Sequence, residues 1–246
     1  MENKLGLDEN TKAALKSLFY GRASMYEYLA LIFKEPAKEN FTGLSEKILP
    51  MIKNLVQENP DEKLSKGAAL LEEYITYEKS KNKEDLRHIL NKTYTSLFYL
   101  GMDSVPATAS GALAPGGTMK QEPWEYVMKV YKKWSFTAPG DFLEPEDHLY
   151  VQLKFLEKLS TFCASNLEDS DALKSGITDS LDIQAQLLKW SDLFQGLVHK
   201  RYLMSKYECK LYLAASYIYN GFLHYDKTLM DNVKCQLEED GVIYEK

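Results

Sequence analysis

Through nearly the whole chain, apolar residues recur every three or four positions, and no stretch alternates apolar and polar residues as a half-buried strand would. That single pattern leaves few options. A chain written in helical period buries its stripes by packing helix on helix, so the fold class is all-α. At 246 residues it is long enough to bury a sizeable core.

The stripes mark out eight to ten helices. The first covers about 10 to 33, through Leu15, Leu18, Phe19, Met25, Tyr26, Leu29 and Phe33, and stops at Glu35-Pro36. A second spans about 44 to 58, with Pro50 as a kink or as its true start. A third runs from Asp61 to Lys79, and Asn82 caps a fourth that carries Leu86, Leu90, Tyr94, Leu97 and Phe98. Later helices cover about 122 to 134, then a segment opened by residues 144–148 and continuing to 166, then about 180 to 200. Ser205-Lys-Tyr-Glu208 has the form of a capping box for the last one. Beyond Asp231 the tail is charged and is expected to fray.

Residues 101–119 break the pattern, being rich in Gly, Pro and small side chains. They divide a single domain into an N-terminal helical half (about 1–100) and a C-terminal half (about 120–230), loosely separated, with a charged tail to 246. Halves joined this way are compatible with a monomer or a domain-swapped dimer.

The net charge is −6, with no basic stripe, which excludes nucleic acid as a partner and leaves a basic peptide as a natural one. Three widely spaced cysteines without a CxxC pair fit a reducing compartment, and a polar N-terminus offers no signal-peptide core, so the expected location is cytoplasmic. The most apolar stretch, Leu211 to Leu223, is too short to span a bilayer, so no stable membrane insertion is expected. His88, His148, His199 and His224 are scattered and form no metal motif. Pro115-Gly116-Gly117-Thr118 lacks the phosphate-loop pattern and follows no strand. No nucleophile motif is present, and the expectation is a protein that is not an enzyme and carries no cofactor.

Glu144-Pro145-Glu146-Asp147-His148-Leu149 is the most informative short segment. Proline and acids suit the first turn of a helix, but a histidine there meets the positive end of the helix dipole. A second reading makes Asp147 an acceptor for a guanidinium group, with His148 orienting it.

This segment resembles the Glu-Pro-x-Asp-His-Leu hallmark of the TorD/DmsD/NarJ family of molybdoenzyme maturation chaperones. Tyr94-Thr-Ser-Leu97-Phe98, followed by Val105-Pro106-Ala-Thr-Ala-Ser110, resembles a second family block. The likeness extends over about 15 to 223. It implies a helical chaperone that binds the twin-arginine leader and apo-form of a molybdopterin-dependent oxidoreductase of the DMSO-reductase type. Such a chaperone assists cofactor insertion and proofreads before export.

The implied peptide site comprises Asp147 as arginine acceptor, Glu144, Pro145 and His148 beside it, Tyr94, Leu97 and Phe98 as apolar wall, and Pro106 and Ser110 as loop edge. Family resemblance also implies weak guanine-nucleotide binding. A guanine-nucleotide-binding protein and a metal-dependent helical hydrolase are the alternative readings.

Overall fold

The computed structural model describes residues 7–36, 41–101, 103–140, 142–204 and 210–243, the side chains of Thr42 and Lys83 excepted. Among them are nine α-helices: α1 (Glu9–Phe33), α2 (Phe41–Glu58), α3 (Glu62–Lys79), α4 (Lys83–Phe98), α5 (Ala109–Leu113), α6 (Glu122–Lys133), α7 (Leu149–Ser165), α8 (Ser170–Met204) and α9 (Leu211–Glu239). A 3-10 turn at Pro115–Gly117 follows α5. The described residues form no strand. Their one sheet-like pairing is an isolated antiparallel bridge between Thr108 and His148.

Several helices start where a short polar side chain satisfies an otherwise unpaired backbone amide. Asp8 accepts from the Thr11 amide at 2.8 Å, Asp61 from Leu64 at 2.7 Å and Asn82 from Asp85 at 2.9 Å. Pro50 lies inside α2 rather than opening it. The capping box at 205–208 falls outside the described residues.

Two boundaries differ from the sequence reading for the same reason. Helix α8 begins ten residues before the expected Ser180, because Leu173, Gly176 and Ile177 are buried there. A Cβ at Gly176 would lie 2.5 Å from Cys163 Sγ, so glycine is what lets the two helices touch. The charged tail does not fray either. Helix α9 continues to Glu239, and Leu237, Val242 and Ile243 are buried with Leu15, Phe19 and Cys163 in a second apolar cluster. Ser170 Oγ anchors the segment by donating to Val242 O at 2.6 Å.

The two halves are not loosely separated. Helix α1 packs along α7, and α3 packs along α9. One core draws Leu29 from α1, Leu71 from α3, Leu97 from α4, Phe155 from α7, Trp190 from α8 and Ile218 from α9. At Gly67 the α3 backbone approaches α9 so closely that a Cβ would lie 2.6 Å from Ile218 Cγ1.

A buried ion pair ties α1 to α9. Arg22 donates from Nε to Asp226 Oδ1 at 2.7 Å and from Nη2 to Oδ2 at 3.0 Å, a two-pronged match. Tyr26 Oη and Gln184 Nε2 also donate to Asp226 Oδ2. Matching all these donors to one carboxylate requires α1, α8 and α9 in register.

Candidate functional site

The central segment is not the structureless loop that its composition suggests. Residues 107–111 run beside 147–149 and are stitched to them. Leu149 N donates to Ala107 O at 2.8 Å, and Ala109 N donates to Asp147 O at 3.0 Å. Ser110 N donates to Asp147 Oδ2 at 2.7 Å. Thr108 caps the short α5 by accepting from Gly111 N at 3.1 Å, and Ser110 Oγ accepts from Gln121 N at 3.1 Å. The two sequence blocks singled out above thus form one unit, with Ser110 and Asp147 at its centre.

Residues 144–147 do not occupy the first turn of a helix. They form a turn closed by His148 N donating to Pro145 O at 3.0 Å, and α7 starts only at Leu149. His148 is the N-cap: its Nδ1 accepts from Tyr150 N at 3.1 Å, which requires the tautomer protonated on Nε2. Burial pushes its pKa down to about 3. The histidine therefore sits at the positive helix end as a neutral acceptor, which removes the conflict with the dipole.

Each acid of the segment has a separate surrounding. Glu144 is half-buried and accepts from Tyr99 Oη at 3.1 Å. Glu146 accepts from Trp124 Nε1 at 2.7 Å, a bond that lowers its carboxyl pKa. Asp147 is fully buried and is not an acceptor exposed at a groove mouth. Its Oδ1 has no hydrogen-bond partner, and among the described residues no cation is paired with it. Gln152 Nε2 donates to Asp147 O at 2.8 Å, which leaves Gln152 Oε1 unpartnered and buried.

The aromatic block divides in two. Leu97 is fully buried core. Tyr94 is buried too, donating from its Oη to Phe33 O at 3.3 Å, and its ring lies 4.9 Å from Phe98. Phe98 is half-buried and stacks on Phe194 at 6.2 Å. The surface is made instead by residues that the sequence reading passed over. Tyr99 is 49% exposed, Leu100 56% and Leu143 95%. Arg201 holds the end of α4 by donating to Ser96 O at 3.2 Å and to Leu100 O at 2.7 Å. Pro106 and Pro145 are half-buried at the edges of the stitched segments.

Tyr99 and Gln152 are bonded within the site, to Glu144 and to the Asp147 carbonyl, yet belong to neither of the two sequence blocks. Gln152 had a signal, since it is a polar residue on the buried side of an apolar helix. Leu143 had one as well, as a leucine outside any helical stripe.

The arrangement offers acids, phenols and apolar surface, which suit recognition of a basic, apolar chain segment. Pro115–Gly117 is a 3-10 turn with Gly116 at φ 71° and Gly117 at φ 67°. Among the described residues no three His, Cys, Asp or Glu side chains converge as a metal site would need. No described helix is long and apolar enough to cross a membrane.

A family model described as nitrate reductase delta subunit matches residues 57–195, which include both stitched segments. The chain is also 24% identical over 222 residues to a protein named chaperone protein TorD from Vibrio cholerae serotype O1, covering 89% of this chain and 96% of that one. With a family match over more than half of its length, the chain belongs to the nitrate reductase delta subunit family, the TorD/NarJ group of chaperones, not catalysts, that serve molybdoenzyme maturation.

Proposed function

We propose that this chaperone binds the N-terminal leader, of twin-arginine type, of a molybdopterin-dependent oxidoreductase in the cytoplasm. It holds the apo-enzyme until its cofactor is inserted and releases it for export afterwards. The observation that carries this reading is the patch around Glu144. A fully exposed leucine, Leu143, directly precedes that carboxylate, Tyr99 at the C-cap of α4 donates to it, and exposed Leu100 follows Tyr99 in the chain. Large apolar side chains left in water next to an acid suit a partner that brings a cation and an apolar stretch together. A leader with two arginines followed by apolar residues has that chemistry. Asp147 is a second acceptor for guanidinium, set deeper behind the stitched segment.

The test is a titration of the full chain with a synthetic leader peptide and with a copy whose two arginines are lysines. Lysine lacks the planar fork that matches a carboxylate, so binding weakens about tenfold or more in the second peptide. Glu144→Gln weakens binding of the arginine peptide without lowering thermal stability. If neither peptide binds, the reading is wrong.

A further inference from the structure

Tyr99 and Leu100, at the end of α4, stand between two exposed apolar patches. On one side Tyr99 donates to Glu144, which follows the exposed Leu143. On the other side Arg201 of α8 donates to Leu100 O at 2.7 Å, and just beyond it Leu203 is 72% exposed and Met204 63%. Leu193, Leu197, Lys200 and Met204 recur at the spacing of one helix face. No other element covers α8 there, since a Cβ added at Gly196 would meet no neighbouring atom within 4 Å. Large apolar side chains left in water over a continuous area mark an interaction surface.

The two patches differ in charge. From Leu193 to Met204, α8 carries Lys200 and Arg201 and no acid, in a chain whose net charge is −6. Residues 143–147 carry three acids and no lysine or arginine. Of those acids Asp147 is buried and Glu146 is taken by Trp124, so Glu144 is the one left to a partner. Among the described residues no cation is paired with Glu144, and no acid is paired with Lys200. An occupant of both patches must offer an acid with apolar residues to α8, and a base with apolar residues to Glu144. A second copy of this chain offers both. Turned about a two-fold axis at Tyr99 and Leu100, the acidic patch of one copy meets the basic patch of the other, and the same contact forms twice.

We propose that the free chaperone pairs with a second copy of itself through these two patches, Glu144 of one copy facing Lys200 of the other, with no exchange of helices. The surface is small, so the dimer is reversible and dissociates in the micromolar range. It covers Leu143 and Glu144, so a second copy and a leader peptide compete for one surface. That competition rests on the leader-binding reading. The dimer itself does not.

Sedimentation velocity of the full chain across the micromolar range tests the dimer without any peptide. The mean mass climbs toward that of two chains as concentration rises, and a single chain at every concentration overturns the proposal. Glu144→Lys and Lys200→Glu each set like charges face to face and weaken self-association about tenfold or more. Mixed with each other, the two variants pair as tightly as the parent, because both contacts of the mixed dimer again join an acid to a base. A variant that merely misfolds cannot give that rescue. Variants that associate like the parent, or a mixture that stays monomeric, overturn the assigned contact. The synthetic two-arginine leader peptide is then added to the dimer, with binding followed by calorimetry. Bound peptide releases single chains. Peptide that binds an intact dimer overturns the competition alone, and peptide that fails to bind overturns the leader-binding reading and the competition together, while the mass measurement still decides the dimer.

Discussion

The backbone amide of Ser110 donates to Oδ2 of Asp147 at 2.7 Å, across 37 residues of chain. Through that bond, one side chain holds the central segment against the start of α7. Asp147→Ala removes the acceptor and leaves the Ser110 amide buried and unpaired. Denaturation in urea should show a loss of about 2 kcal/mol. Asp147→Asn keeps an acceptor oxygen for the Ser110 amide, so it stays within about 1 kcal/mol of the parent.

His148 imposes a pH dependence with a definite sign. Its pKa is about 3 in the fold, against 6.5 ordinarily. Below pH 6.5 the unfolded chain takes up a proton that the folded chain refuses. Stability conferred by the neutral cap is therefore complete above pH 6.5 and drains away as pH falls toward 3, by about 1.4 kcal/mol per unit. His148→Asn retains a capping oxygen and does not titrate. Melting curves between pH 7 and pH 5 should fall less steeply for this variant than for the parent.

Arg22 and Asp226 should behave as a pair. Arg22→Met strands the buried Asp226 carboxylate and costs about 3–5 kcal/mol. The double change Arg22→Met with Asp226→Leu removes both charges and recovers part of that loss, the rest going to Tyr26 and Gln184, which lose their shared acceptor. A double-mutant cycle in guanidinium checks this, and simple additivity of the two single losses would contradict it.

Truncation after Asn232 tests the C-terminal segment. Leu237, Val242 and Ile243 would vanish from the cluster around Leu15 and Phe19. Burying such side chains is worth about 1.5–3 kcal/mol each, so roughly 5–9 kcal/mol is lost, and the melting temperature drops with it. A frayed tail would leave it unchanged.

Helix identity was legible because periodicity and caps act locally: Asp61 and Asn82 are read as caps from the sequence and bond as caps in the structure. Helix length was less legible. Residues 170–179 contain Gly176, Thr178 and Asp179, which are poor helix formers, and tertiary contacts keep them helical, Gly176 against Cys163 of α7 and Asp179 through Trp134 and Lys133. The same holds for residues 232–239, whose charges hide the few apolar contacts that matter. At the candidate site, the sequence pointed to both blocks but not to their contact, since a bond across 37 residues leaves no periodic trace. It also misread depth. A carboxylate in a run of three acids looks solvated, and nothing local to Asp147 announces that Ala107–Gly111 covers it.

The packing of α1 on α7 and of α3 on α9 bears on how the chain comes to be folded at all. Gly67 meets Ile218, and Arg22 meets Asp226, across 151 and 204 residues respectively. As the protein leaves the ribosome, its first hundred residues therefore lack the surfaces they bury against until almost the last helix has been made. Long-range closure of this kind is slow and leaves apolar stripes uncovered in the meantime. A chaperone of molybdoenzyme maturation thus passes through an unfinished stage of its own, and the rate at which α9 docks sets how long that stage lasts.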